Sequence, residues 1–131
     1  MDNSNWYSKL IKPGWAPPAA VFGPVWSVLY IIIAISFGNV FIQVFQGALN
    51  WQIALPFALN LVFNFAFTPL QFKLRNNLLA SIDIILILVT LIWAIAIIRP
   101  HISWVAYINI PYLLWVSFAT VLQLTITWLN R

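Results

Sequence analysis

The chain has 131 residues, of which 63% are hydrophobic and 6% charged, with a formal net charge of +4. A water-soluble domain carries about 25% charged residues, so lipid must be the solvent for most of this surface. The positive balance does not point to nucleic acid, because the eight Trp and ten Phe sit in apolar runs with no basic stripe among them.

Residues 6–30 read WYSKLIKPGWAPPAAVFGPVWSVLY and carry most of the specific information. The aromatic pair Trp6 and Tyr7 comes first, then the cations Lys9 and Lys12, then the breakers Pro13, Gly14, Pro17 and Pro18. Proline removes a backbone donor and biases its predecessor away from helix. The pattern predicts an ordered, non-helical loop over 12–18. A long apolar helix should follow, with Gly23 and Pro24 in its first turn, where proline is tolerated. Trp26 and Tyr30 are four apart and share one face of it. The first twenty residues lack the pattern of a signal peptide, so insertion is expected to be driven by the helices themselves.

Four apolar runs are long enough to cross a hydrocarbon core of about 30 Å, which needs roughly 20 helical residues. They cover about 21–45, 51–70, 78–98 and 104–128. The runs are continuous and not alternating, which disfavours a β-barrel. Short connectors at 46–50, 71–77 and 99–103 make neighbouring spans antiparallel, giving a compact bundle in a single domain over 1–131. Trp51, Trp104 and Trp128 fall at span ends, as interfacial aromatics do. Lys9, Lys12, Lys73, Arg75 and Arg131 fall on one side and Arg99 on the other. The positive-inside rule then places the Lys/Pro loop and the C-terminus in the cytoplasm.

Few polar groups lie inside the spans. Asn60 and Asn64 are four apart on the second span, with Phe67 further along the same face. Unsatisfied amides are costly in lipid, so this face should point inward, either lining a cavity or bonding between helices. Asp83 is the only acidic residue in a span, roughly 8 Å from the cytoplasmic end at 1.5 Å per residue. It reads either as part of a polar ligand or proton site or as a helix–helix anchor met by amide or indole donors. On the fourth span Tyr112, Trp115, Ala119 and Gln123 form one stripe, which is core packing or one wall of a cleft. Pro111 should kink the helix just before that stripe, and Ala119 should leave local space.

Conventional catalysis finds no residues. With no cysteine and a single histidine, His101, in a connector, there is no metal site, triad or acid/base pair. The missing cysteine also excludes disulfides and leaves the redox compartment undetermined. If chemistry occurs, Trp or Tyr redox or photochemistry is the only kind available.

The pattern WYxxLxKPxWxPPxxVFGPVWxxLY resembles the TspO/MBR family, the bacterial relatives of the translocator protein, or peripheral-type benzodiazepine receptor. NLVFNFAFTPLQFKL resembles that family's third helix, and ASID the acidic motif of its fourth. NIPYLLWVSFATVLQLTITWLN resembles its last helix, usually written PYLxWxxFAxxLNxxIxxLN. The resemblance implies an all-α bundle in a bacterial cell membrane, often a homodimer, with a pocket for porphyrins, notably protoporphyrin. Protoporphyrin would be a ligand, in a sensory, regulatory or transport role, and no cofactor is required. By motif position the pocket would involve Trp6, Tyr7, Trp15, Trp26, Tyr30, Asn60, Asn64, Phe67, Asp83, Trp115 and Ala119.

The resemblance also carries alternatives: light-dependent porphyrin degradation, in which Trp26 and Trp115 would take part, or a purely structural or regulatory membrane module. The family has five helices, one of them before WYxxL, whereas five residues precede that motif here, so four spans are expected. Phe67 stands where the family often has Trp, and Gln123 where it often has Asn. No cation follows Tyr112 within reach, so the weak sterol-type pattern is absent.

Overall fold

The computed structural model describes residues 14, 15, 19–68 and 76–130. Among them every regular element is helical: α1 (Ala19–Phe45), α2 (Trp51–Thr68), α3 (Asn77–Ile98), α4 (Ser103–Ile108) and α5 (Ile110–Leu129). Trp6, Tyr7, the two loop lysines and most of the proline-rich loop lie outside the described residues.

Helix α1 begins at Ala19, so Pro24 stands in its second turn and not in its first. The helix tolerates it there because Pro24 is exposed, and the lost donor belongs to a carbonyl at the very start of the helix. The far end of α1 closes in a Schellman motif. Gly47 N–H donates to Val44 O at 3.1 Å, and Ala48 N–H to Gln43 O at 2.9 Å. The motif needs a left-handed residue, and Gly47 has φ of +80°. Asn50 then opens α2, its side chain accepting from Gln52 N–H at 3.2 Å.

Asn76 caps α3 by accepting from Leu79 N–H at 3.0 Å. The last apolar run is divided at Asn109, where α4 ends and α5 begins. The physical reason is Pro111, which has no N–H for the Tyr107 carbonyl. Asn109 repairs part of the break with its side chain, Nδ2 donating to Val105 O at 2.8 Å and to Ser36 Oγ on α1 at 3.0 Å.

Three stretches are long and apolar enough to cross a membrane: Gly23–Phe45, Asn77–Ile98, and Ser103–Leu129 taken across the break. Trp51–Phe67 is apolar over a shorter length, and the end of that run lies outside the described residues. The chain is an all-α membrane protein whose outward faces are rows of Ile, Leu and Val.

Helix α3 packs between α2 and α5. Its first residue fastens it to the end of α5, because Thr127 Oγ1 donates to Asn77 O at 3.0 Å and also hydrogen-bonds Ser81. These contacts make α3 and α5 antiparallel. Helix α1 runs antiparallel to α2, with Phe37 edge-on to Phe57 at 4.8 Å and Tyr30 stacked on Phe65 at 6.4 Å. The core runs through Leu29, Ile33, Phe37, Phe57, Ile87, Leu91 and Tyr112.

Space around Gly47 is open, so a methyl group there meets nothing. The penalty of Gly47→Ala is therefore backbone strain alone, about 1–2 kcal/mol. Thermal melting in detergent should show this loss, and Gly47→Asn should recover part of it.

Candidate functional site

Four helices send polar or aromatic groups to one place in the bundle. Asn60 and Asn64 project inward from α2 and are both buried. Neither could face lipid without leaving an amide unmet. Tyr112 enters from α5 and is fully buried, so its hydroxyl also needs partners. Thr90 enters from α3, one turn from Ile87.

These groups form one continuous chain of hydrogen bonds. Tyr30 donates to Asn64 Oδ1 at 3.1 Å. Asn64 Nδ2 donates to the Tyr112 hydroxyl at 2.6 Å. Tyr112 donates in turn to Asn60 Oδ1 at 2.9 Å. Asn60 Nδ2 ends the chain at Ile87 O, 3.0 Å, and Thr90 Oγ1, 3.2 Å. Thr90 passes its own proton back to the α3 backbone, 2.8 Å from Leu86 O. Asn60 and the Tyr112 hydroxyl thus have all their principal hydrogen-bonding groups engaged within the bundle.

Aromatic rings cover this chain. Trp26 lies 5.6 Å from Tyr30 and 6.4 Å, edge-on, from Tyr112. Phe37 lies 6.5 Å from Tyr112, tilted against it. Tyr30 is the outermost member: the residue is 40% exposed, with its ring between Trp26 and Phe65.

A second aromatic group follows along α5. Trp115 lies 5.5 Å from Phe118, and Trp15 of the loop lies 5.7 Å from the same Phe118, edge-on. Trp15 is half exposed, and Ala119 is partly buried beside Phe118 in the chain. Phe67 and Trp115 are partly buried and pack against the core.

Asp83 is buried, and its Oδ2 has no hydrogen-bond partner among the described residues. Asp83, Ile87 and Thr90 share a face of α3. Since Asn60 meets Ile87, the turn bearing Asp83 lies level with Asn64 on the opposed helix.

The structure therefore brings Trp26, Tyr30, Asn60 and Asn64 into direct contact with one another or through Tyr112. It gathers Trp15 and Trp115 around Phe118. Among the described residues no amide or indole donor meets Asp83 Oδ2. Tyr112, which the sequence placed in the stripe of the last span but not among the pocket residues, is the member that holds the two amides together. The signal was available: a tyrosine in the middle of an apolar stripe must find a partner for its hydroxyl. Thr90 was legible in the same way, three residues from Ile87 on the face that carries Asp83. Phe118 and Phe65 gave no signal distinct from that of lipid-facing phenylalanines.

A profile of the TspO/MBR family matches residues 1–129. The chain belongs to the TspO/MBR family. It is 35% identical to the Bacillus subtilis membrane protein YtaB, over 98% of this chain and 82% of that protein. It is 36% identical to the tryptophan-rich protein TspO of Bacillus cereus, over 95% of this chain and 80% of the relative. The human translocator protein is 31% identical over 77% of this chain and 67% of its own length. With its apolar helices, this TspO/MBR protein is an integral membrane protein.

Removing the Tyr112 hydroxyl separates the two amides at once. Tyr112→Phe leaves Asn60 Oδ1 without its donor and one Asn64 N–H without its acceptor, and should cost about 1–2 kcal/mol. Tyr30→Phe breaks one bond at the half-exposed end and should cost less. Melting of both variants in the same detergent checks the order.

Proposed function

We propose that this TspO/MBR protein binds a protoporphyrin-type tetrapyrrole at the end of the bundle where Trp26, Tyr30 and Trp115 lie. The observation that carries the reading is the ring cluster of Trp26, Tyr30 and Tyr112 set directly over the buried Asn60 and Asn64 amides. Family membership supports it independently.

In this reading the indole and phenol faces stack the macrocycle, a large apolar surface that lipid already concentrates. Lys9 and Lys12 of the proline-rich loop meet its propionates. Asn60 positions Tyr112 and Asn64, and Asn64 and Tyr30 supply polar contact. Trp6, Tyr7, Trp15, Phe67, Asp83 and Ala119 complete the surroundings. The loop and the C-terminus face the cytoplasm, as five of the six Lys and Arg residues favour. The chain crosses the membrane four times as one antiparallel domain, acts in sensing, regulation or transport, and assembles as a homodimer.

A second reading has a specific observation in its favour. The side-chain oxygen and both N–H groups of Asn60 are engaged between helices. A module that uses its amides only to hold helices together would look the same at this residue. The two readings separate at Asn64, which stands nearer the open end of the chain.

Protoporphyrin titrated into the protein in nanodiscs should quench tryptophan fluorescence saturably, above the level of empty discs. Trp26→Ala with Trp115→Ala should weaken binding roughly tenfold or more, as loss of two aromatic contacts of about 0.5–1.5 kcal/mol each requires. Asn64→Ala should both lower the melting temperature and weaken binding. A lower melting temperature with unchanged affinity would favour the structural module.

A further inference from the structure

The helix break before Pro111 leaves one buried acceptor over. Asn109 is buried, and its Oδ1 has no hydrogen-bond partner among the described residues. The groups around Nδ2 fix the orientation of the amide. Val105 O, met by that nitrogen at 2.8 Å, can only accept. Ser36 Oγ, met at 3.0 Å, has already given its proton to Ile32 O at 2.7 Å. Turning the amide over would set Oδ1 against two acceptors, so Oδ1 is the atom that needs a donor. The nearby chain offers little. Pro111, two residues on, has no N–H, and Val40, Val105 and Ala106, each about one turn from Ser36 or Asn109, are buried and apolar.

A polar stripe on α1 leads to this atom. Ser36, Asn39 and Gln43 stand three and four residues apart and share one helix face. Ser36 is buried. Asn39 and Gln43 are partly buried and joined to each other, Gln43 Nε2 donating to Asn39 Oδ1 at 2.8 Å. Gln43 lies in the last turn of α1, where its carbonyl accepts from Ala48 N–H as the chain turns at Gly47. Residues 46–48 are exposed, which puts that end of the stripe at the aqueous boundary. Past Ser36 the character changes. The next residue, Phe37, is buried, edge-on to Phe57 at 4.8 Å and 6.5 Å from Tyr112, so rings and not polar groups follow toward the Asn60–Tyr112 chain.

We infer that Asn109 Oδ1 binds a water molecule, supplied along Gln43, Asn39 and Ser36 from the end of the bundle where α1 turns into α2. The water donates one proton to Asn109 Oδ1, and Ser36 Oγ, which accepts only from Asn109 Nδ2, keeps a lone pair for the other. Leaving a buried acceptor unmet costs more than ordering one water. The recess takes water or a comparably small neutral donor, because apolar side chains and the Phe37 ring close it. It stands on the half of α1 remote from Trp26 and Tyr30, and it holds whether or not the ring cluster binds a tetrapyrrole.

Water-edited solid-state NMR of the protein in lipid bilayers reads the site directly. Ile108–Asn109 is the only Ile–Asn pair in the chain, and Val89–Thr90 the only Val–Thr pair. Isotope labelling of each pair in turn isolates the Asn109 and Thr90 backbone amides without any substitution. Both residues are buried, and at 1.5 Å per residue they lie about 9 and 12 Å from the helix ends joined by 99–102. Magnetisation from water protons should reach the Asn109 amide several-fold faster than the Thr90 amide, which belongs to the dry chain. The route is tested with introduced thiols, since the chain has no cysteine. In proteoliposomes a membrane-impermeant methanethiosulfonate should modify Asn39→Cys several-fold faster than Ile42→Cys, although Ile42 is nearer the helix end, because Ile42 faces outward into lipid. Melting in detergent reports whether both variants are folded, and the NMR comparison needs neither. Transfer to Asn109 no faster than to Thr90, or Asn39→Cys reacting no faster than Ile42→Cys, would overturn the inference.

Discussion

Hydrocarbon offers no hydrogen bonds, and that constraint decides how these helices meet. Every amide and hydroxyl carried on an apolar helix must find its partner inside the bundle. Asn60 does so by reaching across to the backbone of α3, and Tyr112 does so by reaching Asn60. Three helices are thereby placed at one level by groups that have no alternative partner. Between Ile-, Leu- and Val-covered surfaces there is little hydrophobic preference for neighbour over lipid. The polar chain supplies the register that the apolar faces cannot.

The rings are arranged around that chain and not the reverse. Phe37 meets Phe57 edge-on and lies beside Tyr112, and Trp26 approaches Tyr112 edge-on. Tyr112 thus serves two roles at once, a hydrogen-bond junction and the centre of the aromatic packing. A second group, Trp15, Phe118 and Trp115, continues along α5 and brings the loop residue Trp15 against the bundle.

Helix positions were legible in the sequence because the apolar runs are long and the breakers few. The apolar run at 78–98, bounded by its two polar connectors, matches α3 to within a residue, and the break before Pro111 follows from one missing N–H. Pro24 misled by a turn, because Ala19 and Ala20 add helix before it that no apolar periodicity marks. The inward direction of Asn60 and Asn64 follows from lipid chemistry alone. What their partners are does not, since Ile87 offers a backbone carbonyl and every residue has one of those. Gly47 was likewise silent: a single glycine in a short connector says nothing of a positive φ until the helix end is seen.

The repaired break at Asn109 has a mechanical consequence. Its side chain holds α1 at Ser36, and Phe37 meets Phe57 one residue further on, so two successive residues tie α1 to the start of α5 and to α2. The residue that interrupts the last apolar run is therefore also the one that fixes the level at which α1 crosses it.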